Sequence, residues 1–153
     1  MGVLGNNEAV TKGVAGNGPV SKPTGAITGN PTTALFTVVG TVKITELWAD
    51  VTTALSTDSG TYAVQHNPSG TGDTRVIVTA TDLGTSDTAA GSTVGLTRGT
   101  TAAPAFLRGG TSELGAVVND GQVEFVGAAS ANGAITFNCR WIPLTVGATL
   151  VAA

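Results

Sequence analysis

The chain holds one histidine, His66, and one cysteine, Cys139, and reactive chemistry is sought there first. A Ser-His-Asp relay needs His66 within reach of a serine and a carboxylate, and both are too common here for their presence to mark a site. Neither a G-x-S-x-G elbow nor an H-E-x-x-H pair occurs. His66 stands before Asn67-Pro68 and reads as a loop or strand-edge residue. Zinc requires three or four protein ligands, which one Cys and one His do not supply. Asp82 and Asp87 lie in a Gly/Ser/Thr-rich stretch without the D-x-D-x-D-G spacing of a calcium loop. Glycoside hydrolysis needs two carboxylates at a set separation, and nothing marks such a pair among the ten acids. Gly70-Thr71-Gly72 has no Lys-Ser/Thr after it and opens no helix, so it is not a phosphate cradle. The residue chemistry predicts no enzyme, no metal and no cofactor.

The elements around these residues alternate. In Gly133–Pro143, Ile135, Phe137, Cys139 and Trp141 point one way while Thr136, Asn138, Arg140 and Ile142 point the other, the mark of a strand with one buried face. Cys139 on that face is a small core hydrophobe. Asn132-Gly133 tolerates the positive φ of a tight turn, and Gln122–Ala128 alternates before it, so Gln122–Ile142 reads as a β-hairpin on which the domain packs. Trp141 shares a face with Phe137 and is assigned to the core. Trp48 stands at a break in phase and is a candidate for a core or a partner contact.

Ala34–Val39 is the first clear strand, and Thr41–Trp48 follows Gly40. In the latter, Val42 and Ile44 share a face, Glu46 breaks the phase and Leu47 takes over, which predicts a β-bulge or bend. Thr61–His66 alternates with Tyr62, Val64 and His66 together, and Asn67–Gly72 reads as loop. Thr74–Ala80 is apolar on both faces and predicts a central strand. Weak strands follow at Thr93–Arg98 and Ala105–Arg108, then Leu114–Val118; Ala148–Ala153 predicts one edge strand. About eight to ten short antiparallel strands with regular turn signals and no helix predict an all-β fold, a β-sandwich or a jelly-roll-like barrel.

Composition bounds the partners. Only 11% of the 153 residues are charged, against about 25% in ordinary soluble proteins. A surface this sparse in charge invites association, so partner chains are expected to cover much of it. The net charge of −3 and the scattered Lys and Arg offer nothing to a nucleic acid. No apolar run reaches the roughly 18 residues of a membrane helix. The first residues, MGVLGNNEAV, lack the n- and h-regions of a secretory signal, and Asn6 replaces the Ser or Thr of a myristoylation motif. Residues 1–32 are rich in Gly, Pro, Asn and Thr and without periodicity, and read as an extended arm before a β domain at 33–153. The arm is expected to be held by a neighbouring chain through Val3, Leu4, Val10, Val14, Val20 and Ile27; the alternative is that it lies along its own domain.

Two stretches, ALFTVVGTVKITELWADVTTAL (34–55) and GAITFNCRWIPLTVGATLVAA (133–153), resemble the opening and closing segments of small tailed-bacteriophage virion proteins of the capsid decoration, or cement, type. The likeness covers the two ends of the β domain; residues 56–132 match only in composition and strand rhythm. The resemblance implies a structural protein on the capsid exterior of a virion that binds the major capsid protein and itself, as a homotrimer in such proteins generally, and it carries no active site. A phage-fibre or host-surface carbohydrate-recognition module and a tail-tube subunit are the alternative readings.

Overall fold

The structure, a computed structural model, describes residues 19–55, 60–70, 72–83, 88–97, 105–108, 113–128 and 130–153. They form twelve strands: β1 (Val20–Pro23), β2 (Ile27–Gly29), β3 (Thr32–Val39), β4 (Val42–Thr53), β5 (Thr61–Pro68), β6 (Arg75–Asp82), β7 (Thr93–Thr97), β8 (Ala105–Arg108), β9 (Glu113–Val118), β10 (Gly121–Ala128), β11 (Ala131–Pro143) and β12 (Thr149–Ala152). Two antiparallel sheets face each other. One runs β1-β11-β4-β7-β8, with β2 beside β11 and β9 beside β4; the other runs β12-β3-β10-β5-β6. The architecture is an all-β sandwich, as the alternation predicts. The two strands beyond the expected number are β1 and β2, both within the stretch read as an arm.

That stretch needs correcting in part. Val20–Pro23 pairs with Cys139 to Thr136, and Ile27–Gly29 pairs with Gly133 to Ala131. Residues 20–29 therefore lie along their own domain. Their period is too short to register as a pattern, yet β11 outreaches its other neighbour and offers them an unpaired flank. Ile27, expected to anchor in a partner, is 4% exposed in the core of its own chain, and Val20 packs against that core. Both are apolar residues within reach of their own sandwich, and burial there needs no second molecule.

The expected hairpin is also corrected. β10 and β11 do not pair. β10 lies between β3 and β5, whereas β11 lies between β1 and β4 in the opposite sheet. The two strands lie in different sheets, and their inward faces meet across the interior. Gly133 does take positive φ, +83°, but inside β11: a Cβ there would stand 2.6–2.8 Å from Leu55 and the carbonyls of Thr53 and Ala54. The glycine admits a close backbone and does not turn a hairpin.

The phase break in β4 is a bulge. Glu46 pairs with Arg140 and Ile44 with Trp141, leaving Thr45 as the extra residue. Val42 and Ile44 before it, and Leu47, Ala49 and Val51 after it, all point inward and are buried. Without the extra residue Glu46 would enter the core. A second break, between Val123 and Glu124 on β10, leaves Leu35 extra on β3, so Leu35 and Phe36 are both buried. β6, expected at the centre of a sheet, is an edge: Val76 is 62% exposed, and a register break turns the adjacent Ile77 and Val78 both inward. β5 continues through Asn67-Pro68, read as loop, because Pro68 stands opposite Gly121 at the strand's end.

Candidate functional site

The one histidine is not at a loop. His66 is the last inward residue of β5 and is 1% exposed. Its Nε2 lies 2.9 Å from the carbonyl oxygen of Asn119, to which the neutral ring donates. Burial lowers its pKa; the carbonyl bond opposes this, Arg75 adds to it and Glu124 opposes it. The same turn is tied elsewhere: Asp120 accepts from the backbone N–H of Gly40 at 2.9 Å and of Ser69 at 2.8 Å. His66 thus anchors the knot of crossings at one end of the sandwich. Its hydrogen bond is to a backbone carbonyl, and no serine or carboxylate hydrogen bond to the ring is seen among the described residues.

Cys139 is fully buried on the inward face of β11, and burial pushes its thiol pKa up to about 12. It is core, as its position in the alternation predicts. Asp82 closes the edge strand β6; Asp87 lies outside the described residues. No group of three or more potential metal ligands occurs among the described residues.

What the fold assembles is two open sheet faces. On the outside of the seven-stranded sheet, Trp48 is half-buried between Asn138 of β11 and Gly95 of β7. Around it runs a fixed polar chain. Ser21 Oγ donates to Asn138 Oδ1 at 2.6 Å, Asn138 Nδ2 donates to Asp50 Oδ2 at 2.8 Å, and Thr93 Oγ1 donates to Asp50 Oδ1 at 2.9 Å. Glu46 and Arg140 pair beside it at 3.5 Å. Trp48 therefore faces outward, and Trp141 packs against the core from a partly buried position.

The outside of the five-stranded sheet is different. Its middle strand β10 turns Gln122, Glu124 and Val126 outward, opposite Asn67, Gln65 and Ala63 of β5. Glu124 is only 7% exposed. Gln65 Nε2 donates to one carboxylate oxygen at 2.7 Å and Asn67 Nδ2 to the other at 3.1 Å. The two amides blanket the one carboxylate at the centre of the face. Towards its margins Val39, Val151 and Val76 are 54%, 53% and 62% exposed. This face was not legible in the sequence: the alternation Val123/Glu124/Phe125 marks Glu124 as outward, but not that two amides cover it.

Of the partner contacts expected from sequence, Val3, Leu4, Val10 and Val14 lie outside the described residues, Ile27 and Val20 are turned to their own core, and Trp48 stands on an outer face. The structure does not bring Trp48 together with the other two. Loop and strand residues that the sequence did not single out form a further apolar corner: Leu144 and Val146, between β11 and β12, are 49% and 106% exposed. No protein-family model matches the chain, and no curated protein or solved structure matches it either.

Proposed function

We propose that the chain is a structural protein of a tailed-phage virion that adheres as a homo-oligomer to the outside of the capsid, against the major capsid protein, and stabilises the shell without catalysing a reaction. The observation that carries this is the outer face of the five-stranded sheet. It is broad, its central carboxylate is covered by Gln65 and Asn67, and exposed valines stand at its margins. Because that carboxylate is already hydrogen-bonded to two amides, covering it costs less desolvation than covering a bare charge. Neither a nucleic acid nor a membrane is implied. The resemblance supports the same reading: residues 34–55 supply most of β3 and all of β4, residues 133–153 supply most of β11 and all of β12, and these pair as β4·β11 and β3·β12. The likeness thus falls on one joined unit spanning both sheets. Each contact with a shell is weak, and repetition over identical sites makes the whole adhere; binding only to the assembled shell stabilises it by mass action.

The test is co-sedimentation of the purified protein with shells of the phage that encodes it, followed by imaging of shells with and without it. Binding with added exterior density is expected, and Val76→Glu together with Val39→Glu should abolish it while the sandwich stays folded. Absence of the wild-type protein from the shell surface would overturn the reading. The apolar residues of the leader are tested by deleting 1–18 only, because removal through residue 30 also takes β1, β2 and the buried Ile27.

A further inference from the structure

Strands that border a sheet present unpaired N–H and C=O groups, and proteins that must stay apart blunt them with charges, prolines, bulges or short length. Among the described residues, several borders of this sandwich are blunted in this way. β1 carries Lys22 and Pro23; β6 carries Arg75, Asp82 and a register break; and β2 has three residues. β12, Thr-Leu-Val-Ala, is as short as β1 and β8 but carries no charge and no proline, and its register with β3 is unbroken.

Its open edge can be read from the ladder. Ala153 N–H donates to the Leu35 carbonyl at 3.1 Å, and that bond continues the pairing of Thr149 to Ala152 with Val39 to Phe36. Orientation repeats every second residue, so Thr149 and Val151 bond to β3, while Leu150 and Ala152 turn their N–H and C=O groups to the outside. Val151 on β12 and Val39 on β3 are exposed, and past the strand's end Lys22 of β1 donates to the Ala153 carbonyl.

We infer that β12 is the site at which a second copy of this chain joins, edge to edge and antiparallel about a two-fold axis through Val151, making one continuous sheet across the dimer. Leu150 of one copy lies opposite Ala152 of the other, and both residues exchange hydrogen bonds in both directions. Val151 meets its counterpart in the closely spaced kind of pair, with Cα atoms about 4.5 Å apart. A second copy is the occupant because the edge is self-complementary: about the axis through Val151, Leu150, Val151 and Ala152 meet the same three residues and Thr149 meets Ala153, so no like-charged side chains are opposed. The pairing also joins two low-charge outer faces into one. This deepens the oligomeric part of the reading above and rests on it, but it does not require a shell.

The experiment is therefore done without one. Sedimentation equilibrium and native mass spectrometry of the full chain should show a reversible dimer at concentrations up to about 100 µM. Ala152→Pro removes an outward N–H without touching the β3 ladder, and Val151→Glu sets two like charges face to face; each should weaken the dimer at least about tenfold. Both sites are exposed, and circular dichroism checks that the fold is kept. Mixing the Val151→Glu and Val151→Lys proteins should restore a mixed dimer. A wild-type monomer or trimer, or a dimer indifferent to both substitutions, would overturn the inference. Loss of dimer with shell binding intact, or the reverse, separates this failure from failure of the shell reading.

Discussion

Phe125 and Phe137 meet across the sandwich, their ring centroids 5.6 Å apart at 43°, although only eleven residues separate them in the chain. One lies on β10 and the other on β11, in opposite sheets, and both are fully buried. Tyr62 extends the cluster, 6.0 Å from Phe125.

Truncating either ring should leave a cavity between the sheets. Phe125→Ala and Phe137→Ala are each expected to cost about 3–5 kcal/mol in urea unfolding. The double variant should show a coupling of about 0.5–1.5 kcal/mol, since the two rings lose the same contact. Strict additivity would mean that the rings do not share their environment.

The thiol of Cys139 should be silent in the native protein. With its pKa pushed up to about 12 by burial, almost no thiolate is present at neutral pH, and the side chain is inaccessible. A disulfide-exchange reagent should label it only as fast as the sandwich opens, and stoichiometrically in denaturant. Rapid labelling of folded protein would contradict its placement.

His66 should make stability fall on mild acidification. Burial lowers its pKa below the ordinary 6.5, so the unfolded chain binds a proton that the folded chain resists. The contribution is fully present above about 6.5, and it is lost as pH falls from there through the folded value. The slope is positive and, for one proton, bounded at about 1.4 kcal/mol per pH unit. Denaturation midpoints measured between pH 5 and 7 should show this slope, and His66→Gln should flatten it even if its stability is lower throughout.

Gly121 should not accept a side chain. Its φ is +148°, and a Cβ would stand 2.3 Å from the carbonyl oxygen of Asn67 and 2.6 Å from Pro68 Cα. These are backbone atoms on the paired strand β5, which cannot swing away. Gly121→Ala is expected to cost at least about 2 kcal/mol in chemical denaturation, from strained φ and the clash combined. A neutral substitution would mean that β5 and β10 can separate at that end without loss.

The period-2 alternation was enough to place most strands and the inward faces of several. It put Tyr62, Val64 and His66 on one side of β5, Cys139 in the core, β12 at an edge, and a bulge beside Glu46, because a side chain's face depends only on its neighbours in sequence. The pairing of strands was decided by tertiary structure. Asn132-Gly133 suits a hairpin turn and a crowded bend in an arched strand equally well, so the choice between them rested on β3, β5, β1 and β4, which compete for the flanks of β10 and β11. The burial of His66 depends on a carbonyl 53 residues away, and the quieting of Glu124 on amides 57 and 59 residues away. The strands β1 and β2 are too short to announce themselves and form only because β11 leaves them a flank. Local chemistry sets which way a residue points, while what it points at is set by contacts between distant parts of the chain.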